Sequence, residues 1–303
     1  LAAFRPGRMV ALRKPDGRVR ALVVGDVFRR LVARALAQHF APALQEACAP
    51  FQFGLSTRAG TDALSHLLRA ASEFDARATV LSVDAVGAFD HVARQAMLEG
   101  LRAREDLLPV LPYAQQFYAT SSSYTWLDDA GTGHEVRQSE GGEQGDPLMP
   151  SLFSLAQHPA LDEIQTHLAD GEAVFAYLDD LYVVAAPERI RPLYRMLCGA
   201  TRGCSSTEVK RASGTRLGRS LPTSRASSRG KTRVGWCVDF PEEQQGMMVL
   251  GAPLGAEAYV RRQLELKRAD QARLLQRIPS CCFRTQTASC RTQPWGLRPC
   301  LCG

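Results

Sequence analysis

The stretch FAYLDDLYVV, residues Phe175 to Val184, sets Asp179 beside Asp180 between two apolar, β-prone runs. Adjacent carboxylates repel one another and are poorly tolerated among apolar neighbours. The same Leu-Asp-Asp triplet occurs in YTWLDDAGTGHEV, Tyr124 to Val136, but there Asp128 and Asp129 run into Ala-Gly-Thr-Gly. That pair reads as a solvated hairpin loop, because Asp and Gly favour tight turns. At the second pair Leu181-Tyr182-Val183-Val184 resumes an apolar run at once, so the turn must be very tight and its flanks half buried. Two carboxylates held in such a place need a compensating cation. A metal site is preferred here over a purely structural turn.

The chain has 303 residues, 45% of them apolar, enough for one large domain or two smaller ones with a real core. No apolar run approaches the ~20 residues of a membrane span. The first residue is Leu1, as expected of a fragment. A net charge of +6 permits a polyanionic partner without requiring one. The nine cysteines form no C-x-x-C, and no histidine follows His167, which argues against a zinc finger or knuckle. Reduced thiols in an intracellular protein are the default expectation, with nucleus and cytoplasm not distinguished.

Working outward, Arg8–Arg13 and Arg18–Val24 read as two strands around the turn Lys14-Pro15-Asp16-Gly17. Asp26 is placed to cap a helix in which Phe28, Leu31, Val32, Ala35, Leu36 and Phe40 recur at helical spacing. Thr61 or Asp62 opens another, carrying Leu64, Leu67, Leu68 and Ala71. Thr79–Val83 is a short apolar strand ending at Asp84, with Asp90 as cap or ligand a few residues on. Helices are expected over His91–Arg104 and Pro109–Tyr118. The loop Gly141-Gly142-Glu143-Gln144-Gly145-Asp146-Pro147 then feeds a helix at Ser151–Leu168 with Leu152, Leu155, Ala156 and Leu161 as its stripe.

A strand that delivers Asp84, paired with a turn that delivers Asp179 and Asp180, would make a cluster of three carboxylates. Such a cluster cannot stay fully ionised without divalent metal. Hard oxygen ligands favour Mg²⁺ or Mn²⁺, and two such ions ~3.5–4 Å apart suit in-line phosphoryl transfer.

Three motifs occur in order: D-x-x-x-x-F-D at Asp84–Asp90, Q-G-D-P-L at Gln144–Leu148, and Y-L-D-D at Tyr177–Asp180. Together they resemble the palm motifs of reverse transcriptases, especially those of non-LTR retrotransposons. KPDGRVRAL, Lys14 to Leu22, resembles the basic fingers hairpin; QFGLSTRAGTDAL, Gln52 to Leu64, resembles the fingers segment before the palm; VLGAPLG, Val249 to Gly255, resembles the primer-grip hairpin. The resemblance implies an α+β right-hand polymerase with fingers and palm, an antiparallel palm sheet and flanking helices, and a thumb missing or incomplete. It implies Asp84, Asp179 and Asp180 as catalytic metal ligands for two Mg²⁺ or Mn²⁺ ions. It further implies nucleotide contacts from Lys14, Arg20, Ala85, Phe89, Gln144 and Gly145, with Phe89 excluding a 2′-OH. The partners implied are an RNA template, a DNA primer and dNTPs, with no membrane; oligomeric state is not specified. On the residues alone, Phe89 also suits a core, Lys14 and Arg20 also suit a solvated hairpin, and Gln144 also suits a loop bridge.

The expected organisation is fingers over 1–78, palm over 79–198, a basic low-order segment over 199–245, a primer-grip-like hairpin and helix over 246–278, and an unstructured tail over 279–303. Residues 199–235 hold nine basic residues against one acidic residue, Glu208, without a period of 2 or 3.6. That texture is what a reading-frame slip would produce. Two further readings follow: a degenerate, non-catalytic nucleic-acid-binding relic of a reverse transcriptase, and an RNA-dependent RNA polymerase, which Phe89 disfavours.

Overall fold

The computed structural model describes residues 4, 6–13, 17, 19–75, 78–85, 87–204, 209–216, 234–236 and 241–276. Lys14 therefore lies outside the described residues, as does the segment from 277 onward. Residues Leu1–Val260 form one unit and Arg261–Gly303 a second.

The chain begins with a hairpin, β1 (Gly7–Arg13) and β2 (Val19–Val24), paired antiparallel from Arg8–Val24 to Arg13–Val19. Asp26 caps α1 (Val27–His39), its carboxylate accepting from the Phe28 amide at 2.8 Å. The apolar stripe of α1 meets the core only at its C-terminal end, where Leu36 and Phe40 pack against it. Phe28, Leu31 and Val32 are exposed, whereas Arg29 and Ala33 are buried. Burial of an arginine overrides the amphipathic signal, for reasons given below. A short α2 (Ala41–Ala47) and α3 (Gly60–Phe74) follow; α3 starts behind Ala59, at φ 50°, instead of at Thr61 or Asp62. Leu64 and Leu68 of α3 are fully buried, while Leu67 is 39% exposed.

The five-stranded sheet has the order β6-β7-β3-β8-β9, formed by β3 (Thr79–Ala85), β6 (Ala173–Tyr177), β7 (Asp180–Ala185), β8 (Val209–Arg216) and β9 (Val234–Trp236). Period-2 alternation sorts its side chains between two cores. Leu81 and Val83 of β3 join Leu181, Val183 and Ala185 of β7 on one face, against α7 (Met149–Gln165) and α8 (Pro187–Cys204). Val80 joins Tyr182 and Val184 on the other, against α3 and the hairpin β10 (Gly246–Val249)–β11 (Ala252–Gly255). Leu181 to Ala185 are all buried, so β7 is covered on both faces.

A third core gathers Met97, Leu98 and Leu101 of α5 (Arg94–Arg102), Ala114 and Tyr118 of α6 (Leu111–Tyr118), and the first half of α7. Ala88 of α4 (Ala88–His91) also joins it; α4 is capped by Gly87 at φ 60°, so Asp90 is not its cap. Cys48 is buried in the same core, and burial pushes its thiol up to about 12, leaving it unreactive at neutral pH.

Two features bear on the expected organisation. Hairpin β4 (Ser122–Leu127)–β5 (Gly133–Gln138) joins the first sheet, order β2-β1-β4-β5, through a parallel β1–β4 pairing. Residues on both sides of the expected boundary at 78/79 thus share one sheet. Residues 199–245 are not without order throughout. α8 continues to Cys204, and β8 pairs antiparallel with β3 from Thr79–Arg216 to Asp84–Arg211. A strand paired through its backbone needs little apolar alternation of its own, so VKRASGTR carries no pattern and still forms a ladder. No helix among the described residues is long and apolar enough to cross a membrane. In the second unit, the described part is the continuation of α9 (Glu257–Leu275), a polar helix.

Because Leu81 is 1% exposed between β7 and two helices, Leu81→Ala should cost ~2–5 kcal/mol. Leu67→Ala on the exposed face of α3 should stay within ~0.5 kcal/mol. Urea unfolding of the two variants beside the wild type checks the orientation of both elements.

Candidate active site

The register of β3 against β7 determines where the acidic side chains go. The ladder ends with Asp84 directly opposite Asp180. Directly opposed residues of an antiparallel pair project from the same face, so the two carboxylates share a side of the sheet. Asp179 is one residue away in the turn Leu178–Asp179, which joins β6 to β7 with Tyr177 paired to Asp180. All three aspartates are half-buried. The tightness of the turn comes from Leu178, which adopts φ 54°, a left-handed conformation that non-glycine residues rarely take.

Below this acidic edge lies Tyr182, 2% exposed. Its hydroxyl is pushed up first by burial and then by the charge of Asp180, and it bonds with Ser82 and the backbone of Leu250. Leu250 and Gly251 form the β10–β11 turn, with φ 47° and 89°. The sheet bearing the aspartates is thereby tied to the segment likened to a primer grip.

The loop with the Q-G-D-P-L motif is fixed by a buried ionic cluster. Arg29 donates to Glu143 at 2.8 Å and to Asp146 at 3.4 Å, with side chains only 2% exposed on each partner. Its guanidinium stacks 4.0 Å from the Phe117 ring centroid. Tyr118 donates to Asp146 at 2.6 Å, Tyr124 to Glu143 at 3.2 Å, and the Leu148 amide to Asp146 at 2.9 Å. Burial pushes Glu143 upward, and Arg29 opposes that rise. Burial alone would lower Arg29, but Glu143, Tyr118 and Asp146 outweigh it and hold it firmly protonated. Arg94 adds a second buried guanidinium, donating to the carbonyls of Gly141 at 2.8 Å and Thr120 at 2.6 Å.

The nucleotide-contact candidates are distributed as follows. Gln144 donates to both carboxylate oxygens of Asp90, at 3.1 and 3.2 Å, so it ties the loop to α4. Gly145 lies where an added Cβ would come within 2.1 Å of the Val23 carbonyl oxygen, so only glycine lets loop and β2 approach this closely. Phe89 stacks on Phe153 with ring centroids 4.7 Å apart and is partly buried. Ala85 is the last residue of β3, opposite Val209 at a register shift. Arg20 is exposed on β2, paired to Leu12 in the other sheet. Asp128 does cap a surface turn: it accepts from Ala130 and Thr132, and His134 holds its carboxyl below the usual range.

For a hard divalent cation, the donor chemistry of Asp84, Asp179 and Asp180 fits, and the backbone delivers them to one edge. Among the described residues no group of three His, Cys, Asp or Glu is arranged to hold a metal ion. Two sets of residues escaped the sequence reading. One is Arg29 with Glu143 and Asp146; the signal available was a pair of acids in a Gly-rich loop with no stated partner. The other is Gln52, which touches the Leu178 turn.

The chain resembles known proteins. The family described as reverse transcriptase (RNA-dependent DNA polymerase) matches residues 12–197. The chain belongs to that family. A retrotransposable element SLACS 132 kDa protein of Trypanosoma brucei gambiense is 23% identical over 193 residues, which is 64% of this chain and 16% of that protein. The chain thus spans well under a quarter of that relative. Telomerase from Candida tropicalis, in its apo form truncated from the C-terminal domain, superposes with a TM-score of 0.55 at 10% identity, over 84% of this chain and 54% of that one. The same telomerase in complex with a TWJ fragment of telomeric RNA gives a TM-score of 0.51 at 10% identity, covering 67% and 40%. These two likenesses establish an α+β polymerase fold.

Arg29→Met should destabilise the protein by ~3–5 kcal/mol, since it strands two buried carboxylates. Adding Glu143→Gln should recover part of that loss, with a coupling of ~1–3 kcal/mol in a double-mutant cycle read by denaturant unfolding.

Proposed function

We propose that this chain carries the polymerase core of an RNA-directed DNA polymerase encoded by a retroelement, adding dNTPs to a primer 3′-OH on an RNA template. The supporting observation is the ladder that ends with Asp84 opposite Asp180, one residue from Asp179. Membership of the reverse transcriptase family supplies the reaction class. Divalent cations of the kind that family uses would here be Mg²⁺ or Mn²⁺ held by Asp84, Asp179 and Asp180. When bound they would neutralise charge on the triphosphate and lower the pKa of the attacking hydroxyl.

The remaining work falls to the chain itself. β3 and β7 hold Asp84 opposite Asp180, and the turn between β6 and β7 brings Asp179 next to them. Phe89, braced from one side by Phe153, presents its other side as a floor for the sugar and excludes a 2′-OH by contact. Gln144 and Gly145 set the height of that floor through Asp90 and β2. Lys14 and Arg20 on the basic hairpin meet the triphosphate, as point charge and bidentate fork respectively.

Primer extension by the purified protein on an RNA template, with Mg²⁺ or Mn²⁺, tests the reading directly. Asp84→Asn and Asp179→Asn should each lower incorporation by on the order of 10²–10⁴-fold, the rate equivalent of several kcal/mol. Asp128→Asn on the surface turn should leave it unchanged. Phe89→Val should raise the ratio of rNTP to dNTP incorporation while keeping much of the dNTP rate. An unchanged ratio with a lowered melting point would make Phe89 a core residue. No incorporation by the wild type would favour the non-catalytic relic.

A further inference from the structure

The segment Phe51–Gln52–Phe53 runs beside β6 as a short parallel extension of the five-stranded sheet. Phe53 donates its amide to the Ala176 carbonyl, and Ala176 donates to the Phe51 carbonyl, both at 2.8 Å. Gln52 is 3% exposed at the centre of this contact. Its Oε1 accepts two backbone amides at once, from Leu178 at 2.7 Å and from Gly54 at 3.0 Å. Both neighbours are donors, so only the oxygen of the carboxamide can face them. The amide nitrogen points the other way and is buried without a hydrogen-bond partner among the described residues.

That arrangement is costly for a residue that merely fills space, because an unsatisfied buried donor is unfavourable. A leucine would occupy similar volume without an orphan group. What leucine lacks is the acceptor, and the acceptor binds Leu178, whose φ of 54° is itself unfavourable. Gly54 completes the seat: a Cβ there would come within 2.8 Å of the Leu178 side chain and 3.0 Å of its amide nitrogen. The seat is anchored from behind, since Gln45 of α2 donates to the Gln52 carbonyl at 2.9 Å and accepts from the Ser56 amide at 2.8 Å. Asp179 follows Leu178 directly.

We infer that Gln52 is a positioning residue for the acidic turn: its carboxamide oxygen holds Leu178 in the left-handed conformation that delivers Asp179 to the edge shared by Asp84 and Asp180. The inference rests on the polymerase reading for the purpose of that turn, and on geometry for its mechanism. Gln52 touches neither substrate nor metal; it acts through the backbone of Leu178.

The test uses the full chain with Mn²⁺ as the probe, and two substitutions. Gln52→Leu removes the acceptor at similar volume; Gln52→Glu keeps an acceptor oxygen. In Gln52→Leu, hydrogen exchange at the Leu178 and Gly54 amides should accelerate by on the order of tenfold or more. Exchange at Leu81 and Val183, in the centre of the sheet, should stay slow. Mn²⁺ affinity, read by electron paramagnetic resonance, should fall by ~10–100-fold, the range for residues that orient metal ligands. Gln52→Glu should restore protection at Leu178 and most of the affinity. Asp84→Asn should lose Mn²⁺ while keeping Leu178 protected.

Equal exchange at Leu178 in wild type and Gln52→Leu overturns the inference. So does faster exchange with unchanged Mn²⁺ affinity, and so does a loss of protection that spreads equally to Leu81 and Val183. Nucleotide incorporation by the wild type tests the polymerase reading separately. The comparison among variants tests Gln52 whether or not incorporation occurs.

Discussion

β3 and β7 pair without interruption from Thr79–Ala185 to Asp84–Asp180, and that ladder places the other elements of its sheet. One face of the pair takes α7 and α8; the other takes α3 and the β10–β11 hairpin. The cores on both faces are made by alternate residues of the same two strands. A slip of one residue would exchange the two cores and turn the aspartates over. Packing on both faces therefore fixes the register, and the register fixes the acidic edge. Asp84 and Asp180 occupy the last rung of a ladder held elsewhere by Leu81, Val83, Val183 and Val184, and Asp179 depends on the turn that Gln52 seats.

Charge is handled in two opposite ways within one unit. Around Arg29 it is sealed off: cation, two carboxylates and two tyrosine hydroxyls satisfy one another out of water. Breaking such a cluster is expensive, while its net gain over an apolar packing is small. Its value lies in geometry. It pins α1, α6 and the Gly-rich loop to a single arrangement, which in turn sets Gln144 against Asp90. At the acidic turn, by contrast, backbone register gathers three half-buried carboxylates at one edge of the sheet.

Much of this was legible in the sequence. The apolar runs flanking Asp179 and Asp180 gave away a tight hairpin, and the separate Leu-Asp-Asp at Asp128 was readable as a surface turn from its glycines. Asp26 announced its helix. α1 was readable as a helix but not in its orientation, because hydrophobic spacing points Phe28 and Leu31 inward and no local signal says that Arg29 has two acids waiting 114 and 117 residues away. β8 was hidden for a related reason: its partner is β3, and backbone pairing leaves no mark on side-chain pattern. Gln52 was visible only as part of a motif. Its function depends on where Leu178 arrives, which is a property of tertiary structure.

The first sheet has a consequence for how the chain is made. β1, near residue 10, pairs in parallel with β4, near residue 125. During synthesis the β1–β2 hairpin emerges early and can close on itself at once. Its second edge must then wait while more than a hundred residues are added, with Met9 and its neighbours offering unpaired amides and carbonyls. At ordinary elongation rates of ~5–20 residues per second, that wait lasts several seconds, far longer than the ~1–10 μs a hairpin needs to form. For that interval the nascent chain carries an open strand edge, a ready template for pairing with another chain. The arrival of β4 ends the exposure, so its hairpin completes the site's frame and also shields the newborn chain from its own kind.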